Sequence, residues 1–221
     1  MNRVPEPELM DSPEQAAAYA GADFEEPHGR FIEEFKLAFP DEPVTGPMLD
    51  LGCGPADITI RFAHAFPDAQ LDGLDAGPNM LGHGLTAIEQ AGLMMRIRLS
   101  HGHIPEDTPP RDRYGVIISN SLLHHLPEPM DLWQTINRHA AARARVFVMD
   151  LRRPPSREAA EALVGEHAAG EPDILRRDFF NSLLAAYTPA EVRRQLEAAD
   201  LGGLEVAEPT DLHVIVHGRM D

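Results

Sequence analysis

The feature that most constrains this chain is an alternation of apolar strand patterns with amphipathic helix patterns between residues 48 and 150. The predicted strands are 48–51, 70–75, 96–100, 116–120 and 145–150, and the predicted helices are 58–66, 79–91 and 130–142. Strands that alternate with helices form a parallel sheet covered by helices on both faces. Two further strands, 204–206 and 212–217, follow near the C-terminus, so we predict a seven-stranded, mostly parallel α/β sheet.

Helical patterns precede this alternation. Ser12 is a typical helix cap, and Pro13 suits the first turn of a helix that we expect to end near Gly21. Apolar residues at helical spacing predict a second helix over residues 28–39. We therefore expect residues 1–45 to form an N-terminal helical extension that acts as a lid.

A second helical stretch interrupts the alternation before the last two strands. Residues 156–187 indicate two helices with no strand between them. Thr188 then begins a further helix, with Glu191 placed for a capping box. The main domain is predicted to span residues 46–221, with this helical insertion at about residues 152–187.

The charge composition disfavours nucleic acids and anionic membranes as partners. With 36 acidic and 19 basic residues the formal net charge is −17, which disfavours nucleic acids and anionic membranes. No apolar run reaches the ~20 residues of a membrane span, and the first residues lack the basic and apolar regions of a signal peptide. The single cysteine, Cys53, agrees with a reducing compartment. We expect a cytoplasmic protein, with a monomer and a homodimer both left open.

Two glycines and an acid mark a ligand site at the strand ends. Gly52 and Gly54 lie between the first strand and its helix, where open α/β sheets bind ligands and where glycine lets the backbone approach them closely. Asp75 ends the second strand, the position from which a carboxylate accepts hydrogen bonds from ribose hydroxyls. Together these residues predict a nucleoside site.

The same stretch argues against two common nucleotide ligands. A dinucleotide fingerprint needs glycine or alanine at the sixth position from Gly52, and Asp57 stands there, where its charge would oppose a pyrophosphate. A nucleotide-dependent oxidoreductase is therefore disfavoured. The chain also lacks the glycine-rich lysine motif of a P-loop.

Three motifs resemble those of the class I S-adenosylmethionine (SAM)-dependent methyltransferases. Asp50-x-Gly52-x-Gly54 is similar to the family's glycine motif, with Ala56 in place of the third glycine. Residues 74–81 resemble the second-strand motif, and residues 119–127 resemble the fourth-strand segment of members that act on small molecules. The three stand in order at the family's spacing across roughly residues 45–150, which implies a Rossmann-like methyltransferase fold.

The resemblance implies SAM as cofactor, with S-adenosylhomocysteine (SAH) as product. It implies that Asp50 orients the ammonium group, that Asp75 holds the ribose hydroxyls and that Met80 lies beside the adenine. His103 stands where the family often has an acid, so we expect its imidazole or the Ile104 amide to contact the adenine. Cys53 is interpreted as a small buried spacer and Tyr19 as a lid residue. The predicted cofactor set is Tyr19, Asp50, Gly52, Cys53, Gly54, Asp75, Ala76, Met80, His103, Ile104, Asn120 and Ser121.

His124 and His125 follow the fourth strand, near the expected position of the methyl group. Either histidine is a candidate general base for a hydroxyl or amine acceptor. The alternative is a structural role, with one ring capping and the other packed. A further hypothesis is a metal site that these two histidines form with His101, His103 and Asp150. The spacings of the histidines are not those of a structural zinc site, so we predict no metal.

The predicted function is methyl transfer from SAM to a small-molecule acceptor by in-line displacement. The alternative is a SAM- or nucleoside-binding module without transfer activity. An RNA or protein acceptor is disfavoured by the charge and by the lack of a long added domain. The acceptor pocket is expected from the N-terminal helices and the insertion, with these candidates: Tyr19, Phe24, His28, Phe31, Arg152, Arg153, Phe179, Phe180, Asn181 and Tyr187.

Overall fold

The computed structural model describes residues 1–6, 11–22, 24–40 and 42–221. The strands are β1 (Gly46–Leu51), β2 (Ala69–Asp75), β3 (Ile97–His101), β4 (Tyr114–Asn120), β5 (Ala140–Leu151), β6 (Glu205–Ala207) and β7 (His213–Arg219). The α-helices are α1 (Pro13–Gly21), α2 (Glu25–Ala38), α3 (Asp57–Ala65), α4 (Pro78–Gln90), α5 (Met130–His139), α6 (Arg157–His167), α7 (Asp173–Ala185) and α8 (Pro189–Ala198). None of the described helices combines the length and the apolar character that crossing a bilayer requires.

All the strands belong to one sheet, in the order β3-β2-β1-β4-β5-β7-β6. The pairs among β1 to β5 are parallel, whereas β7 is antiparallel to both of its neighbours. The predicted seven-stranded, mostly parallel sheet with helical additions is therefore confirmed. The strand order changes direction at β1 and β4, so the carboxyl ends of these two strands border the crevice in which such sheets bind ligands.

Helix starts follow the sequence signals closely. The Ser12 hydroxyl accepts a hydrogen bond from the Gln15 backbone N–H, and the Gln15 side chain accepts one from the Ser12 N–H. Thr188 and Glu191 form the predicted capping box at the start of α8. Each pair satisfies backbone donors that a helix N-terminus leaves free.

The end of α5 differs from the prediction. A helix to residue 142 was expected because alanine favours helices, but α5 ends at His139 and β5 begins at Ala140. Ala140 pairs with Tyr114 of β4, and the register of this pair shifts before Val116. Strand pairing and burial against the sheet therefore override the weak local preference.

Aromatic side chains of α2 join the core on one face of the sheet. Phe31 and Phe35 are fully buried and pack edge-on against Phe62 of α3 and Phe147 of β5. On the other face the core is centred on Trp133, whose indole N–H donates to the Gln195 side chain. Since α2 contributes to this core, it is anchored to the domain.

A buried carboxylate ties β2 to β4. Asp72 is 0% exposed, and its Oδ2 accepts hydrogen bonds from the Tyr114 hydroxyl at 2.8 Å and the Arg111 guanidinium at 2.6 Å. Arg98 donates to its other oxygen at 3.2 Å. Burial and the bond to Asp72 together raise the pKa of Tyr114. The positive charges and the hydrogen bonds of these partners thus offset the cost of burying the Asp72 carboxylate.

We predict that Asp72→Ala lowers the free energy of unfolding by about 2–4 kcal/mol, because it leaves the buried Tyr114 hydroxyl without its acceptor. Urea unfolding measures the change. Asp68→Ala, at an exposed position, is the matched control and should change stability by no more than about 0.5 kcal/mol. Equal effects of the two substitutions would contradict a stabilising role for Asp72.

Candidate active site

A cavity of about 1060 Å³ opens at the carboxyl ends of the parallel strands. Its volume lies just above the roughly 300–1,000 Å³ that small-molecule sites occupy. It is lined by every candidate cofactor and catalytic residue from the sequence: Tyr19, Asp50, Gly52, Cys53, Gly54, Asp75, Ala76, Met80, His103, Ile104, Asn120, Ser121, His124 and His125.

The turn between β1 and α3 forms one wall of the cavity. Gly52 and Gly54 have φ angles of +72° and +51°, in the left-handed region that favours glycine. A Cβ on Gly52 would lie 2.9 Å from the Leu122 side chain, whereas a Cβ on Gly54 would meet no atom within 4 Å. Gly54 therefore leaves free space beside the backbone, where a ligand can approach closely.

Ala56 also adopts a left-handed conformation, with φ of +65°, as the residue that precedes α3. This is the position where the resembled family has its third glycine, and the angle gives the physical reason for that preference. The methyl group of Ala56 is fully buried, so it packs in the core and leaves the cavity free.

Asp75 holds this turn to the end of β2. Its Oδ2 accepts a hydrogen bond from the Gly54 N–H at 2.8 Å, and its Oδ1 accepts one from the Gly77 N–H at 2.7 Å. Burial raises the pKa of the carboxyl, and the two backbone donors counter that effect. A carboxylate has about four acceptor positions. Asp75 can therefore accept two further hydrogen bonds from a ligand.

Asp50 is a buried acid at the end of β1, 1% exposed. Its Oδ2 accepts a hydrogen bond from the Thr59 hydroxyl at 2.6 Å. Burial raises the pKa of Asp50 to about 7, an effect that Thr59 opposes and Asp75 increases. A cationic group in the cavity would favour the ionised form, so Asp50 is suited to an ammonium group.

Cys53 is buried as predicted, and its sulfur lies against Gly73 of β2, where an added Cβ would approach it to 2.7 Å. Burial, followed by the charges of Asp75 and Asp50, raises the pKa of its thiol. The thiol therefore stays protonated and is unsuited to act as a nucleophile.

The start of α4 holds a residue that sequence reasoning missed. The Asp11 carboxylate accepts hydrogen bonds from the Met80 N–H at 3.0 Å and the Asn79 N–H at 3.3 Å, so it caps the helix from a distant part of the chain. Ala76, Met80 and Ile104 lie in this part of the cavity, with His103 exposed at its rim. No local signal marks such a cap, because 69 positions separate Asp11 from Met80.

The loop after β4 is shaped by two residues of the fourth-strand motif. Asn120 ends the strand, and Ser121 takes a left-handed φ of +56° while its N–H donates to the Met149 carbonyl at 2.9 Å. A left-handed conformation is costly for a residue other than glycine and is a feature of functional sites. The turn directs the following histidines into the cavity.

His124 forms a buried pair with Asp150 at the end of β5. Its Nδ1 lies 2.6 Å from Asp150 Oδ1, and both side chains are 2% exposed. The carboxylate also accepts the backbone N–H groups of Leu123 and Leu151. Burial lowers the pKa of His124, but the charge and hydrogen bond of Asp150, with the charge of Glu6, outweigh it and leave the pKa raised. Asp150 holds the ring with Nε2 free to exchange a proton.

His125 forms the neighbouring pair with Glu6, another residue that sequence reasoning missed. Its Nδ1 lies 2.5 Å from Glu6 Oε2, and Ser182 of α7 donates to the other oxygen of Glu6 at 2.7 Å. Arg3 donates to the carbonyls of His124 and Leu126 and so fixes the histidine turn. The first residues of the chain thus complete the site.

Donor atoms of Glu6, His124 and His125 lie within 4.8 Å of one another, a set that differs from the one weighed from the sequence. In the described structure both imidazole Nδ1 atoms already face carboxylates, Asp150 and Glu6. The expectation that this site works without a metal stays a prediction.

Some of the acceptor candidates line the cavity and the others do not. Tyr19, Phe24 and His28 form a run of ring contacts at 4.7 and 4.9 Å along one side of the cavity, and Phe179 of α7 also lines it. The remaining candidates lie outside the cavity lining: Phe31, Arg152, Arg153, Phe180, Asn181 and Tyr187. Arg153 is buried and donates hydrogen bonds to the Ala186 carbonyl and the Glu191 carboxylate.

We predict that Asp150→Asn lowers the pKa of His124 from its raised value, because the charge and hydrogen bond of Asp150 no longer oppose burial and only the charge of Glu6 does. NMR titration of the imidazole measures the change, with the exposed His64 as an internal control. The raised pKa in the wild type also means that the pair stabilises the protein at low pH and loses that effect as pH rises through this pKa. An unchanged His124 titration in the variant would contradict this pairing.

The family model and the relatives that this chain matches are all described as methyltransferases. Residues 49–146 match the family model described as "Methyltransferase domain". The chain is 31% identical over 121 residues to a trans-aconitate 2-methyltransferase of Rhizobium meliloti (strain 1021), covering 55% of this chain and 43% of that protein. A Rhodococcus jostii (strain RHA1) protein of the same name is 33% identical over 91 residues, which is 40% of this chain and 32% of the relative. The matches thus span less than half of these relatives.

Solved structures agree on the fold across nearly the whole chain. A SAM-dependent methyltransferase from Aquifex aeolicus superposes with a TM-score of 0.65 at 15% identity, covering 94% of this chain and 98% of that one. The plantazolicin methyltransferase BpumL, solved with a desmethylPZN analog and SAH, gives 0.69 at 13% identity, with 92% and 89% covered. At these identities the likeness establishes the fold alone.

Proposed function

We propose that this chain, which contains a class I SAM-dependent methyltransferase domain, transfers the methyl group of SAM to a small-molecule acceptor. One observation supports this above all. The left-handed turn at Gly52 and Gly54 and the carboxylates of Asp50 and Asp75 face the same cavity. That cavity is large enough for a nucleoside cofactor together with a second ligand.

The donor set suits SAM group by group. Asp50 would bind the ammonium group, and Asp75 would accept hydrogen bonds from the ribose hydroxyls. Gly52 and Gly54 would lie along the methionine and ribose parts. Met80 and Ala76 would contact the adenine, whose edge would meet the Ile104 amide or His103. Cys53 would space the turn from β2, Asn120 and Ser121 would line the methionine end, and Tyr19 would cover the site.

When bound, SAM supplies a methyl group on a sulfonium, which is transferred by in-line displacement. The residues of this chain position the acceptor and exclude water. Where the acceptor loses a proton, His124 Nε2 would receive it, and Asp150 and Glu6 would stabilise the imidazolium. His125, held by Glu6, would position the acceptor or relay the proton.

The segment before α2 would act as a lid, and α6 and α7 would shape the acceptor compartment. Glu6, Tyr19 and Phe179 line the cavity from these parts of the chain. We further propose a cytoplasmic location, supported by a single cysteine that is buried as a free thiol. Fractionation of cells that express the protein at native level tests the location.

Calorimetry with SAH tests the cofactor site, with NADH as the ligand expected not to bind. At pH 6.5 we predict that SAH binding releases roughly half to one proton, because the ammonium group favours ionised Asp50, whose pKa is about 7 in the free protein. Asp50→Asn should abolish that release. Asp131→Asn is the matched control, since this acid at the cavity also has a raised pKa and no assigned ligand group. An absence of SAH binding would refute the proposed function.

Transfer itself is tested with an acceptor panel that includes trans-aconitate, the compound in the name of several relatives. With an acceptor that loses a proton, His124→Gln should lower kcat by about 10²–10⁴-fold with SAH affinity retained. The rate should rise with pH through the raised pKa of His124. Near-normal kcat in His124→Gln and His125→Gln would exclude the base role. SAH binding without product from any acceptor would favour a binding module.

A further inference from the structure

One wall of the cavity lies outside the proposed cofactor site and contains an arginine that has no partner among the described residues. Arg30 of α2 lines the cavity and is half-buried. Among the described residues, no side chain or backbone group forms a hydrogen bond or ion pair with its guanidinium. In contrast, Arg61 nearby binds both Asp57 and Glu25. A half-buried guanidinium that faces a cavity unpaired is suited to bind an anionic ligand.

His213 at the start of β7 lines the same cavity, and its tautomer is fixed by Thr210. The Thr210 oxygen accepts the backbone N–H groups of Leu212 at 3.2 Å and His213 at 3.1 Å. Both of its lone pairs are then used, so its hydrogen is left to donate to His213 Nδ1, 3.1 Å away. The imidazole hydrogen must therefore lie on Nε2.

His213 remains a neutral donor over the working pH range. The pKa of its imidazole is lowered to about 4, mainly by burial; the charges of Arg30 and His167 act in the same direction, while those of Asp150 and Asp211 oppose them. Arg30, one of the charges that act on this imidazole, lines the same cavity as His213. Nε2–H has no acceptor among the described residues, so this wall offers a guanidinium and an imidazole N–H together.

The surroundings favour an anion with an apolar body. The carboxylates of Glu6 and Asp178, which also line the cavity, already have partners. Glu6 binds His125 and Ser182, and Asp178 accepts hydrogen bonds from Gln15 and Arg177. Between them the cavity surface is apolar, formed by Met149, Leu151, Leu175, Phe179 and Leu212. Two further acids, the exposed Asp211 and the half-buried Glu171, also line the cavity. Arg30 and His213 thus supply unpaired donors beside apolar side chains.

We propose that Arg30 and His213 form an anion-binding subsite that holds a carboxylate of the methyl acceptor. The inference rests on the proposed function for the identity of the ligand as acceptor, but the subsite itself is defined by the cavity wall. Arg30 would pair with the carboxylate, and His213 Nε2–H would donate to one of its oxygens. The rest of the acceptor would lie along the apolar side chains.

The test compares hydrocinnamate, trans-aconitate, hydrocinnamamide and phenylpropylamine as ligands of the protein, with and without saturating SAH. We expect at least one carboxylate to bind more tightly than the amide or the amine. Arg30→Gln should weaken that binding by about tenfold or more, since it removes a charge-assisted contact. His213→Phe should weaken it several-fold. Arg193→Gln, which makes the same charge change on an exposed part of α8, should leave it unchanged.

NMR of the imidazoles locates the bound anion. The His213 signals should shift on addition of the carboxylate, whereas those of the exposed His64 should not. Preference for the amine, no carboxylate binding, or binding that Arg30→Gln leaves within twofold would overturn the inference. Because titrations without SAH test the subsite alone, a protein that binds the carboxylate through Arg30 but fails to bind SAH would refute the proposed function and retain the subsite.

Discussion

The Asp75 carboxylate accepts hydrogen bonds from the backbone N–H groups of Gly54 and Gly77, and the shape of the site depends on these two contacts. They join the turn after β1 to the turn after β2. With Gly52 and Gly54 in left-handed conformations, the backbone curves away and leaves open space beside Gly54. A side chain at either glycine would incur backbone strain, and at Gly52 it would also collide with Leu122.

Three acids lie at the carboxyl ends of strands, and each has different partners that act on its charge. Asp50 is buried with one hydroxyl partner, and its pKa is raised to about 7. Burial also raises the pKa of Asp75, and the backbone N–H groups of Gly77 and Gly54 oppose that effect. Asp150 faces His124 and raises the pKa of that ring. The same residue type at the same edge can therefore bind a cation, accept hydroxyl groups or orient a base, according to its partners.

Sequence patterns predicted the structural features that are determined by residues close together in the sequence. The sheet, the glycine turn and the cavity residues follow from periodicity, short motifs and a family resemblance, and the structure places those residues around one cavity. Contacts between distant parts of the chain left no such signal. Glu6 meets His125 across 119 positions and Arg3 reaches the His124 carbonyl across 121, so no spacing rule applies. Ala140 was misassigned because its strand partner, Tyr114, is also remote in sequence.

The two N-terminal helices are attached in different ways, and this difference limits which part can open. α2 is anchored by the fully buried Phe31 and Phe35, so moving it would expose core to water at a cost of several kcal/mol. The segment before it makes several polar contacts, Arg3 with backbone carbonyls, Glu6 with His125 and Asp11 with the start of α4, and Ala16 of α1 is its one fully buried apolar side chain among the described residues. Water can replace polar contacts at much lower net cost. We therefore propose that the part of the chain before α2 moves when ligands exchange, while Arg30 on α2 keeps its place in the cavity wall.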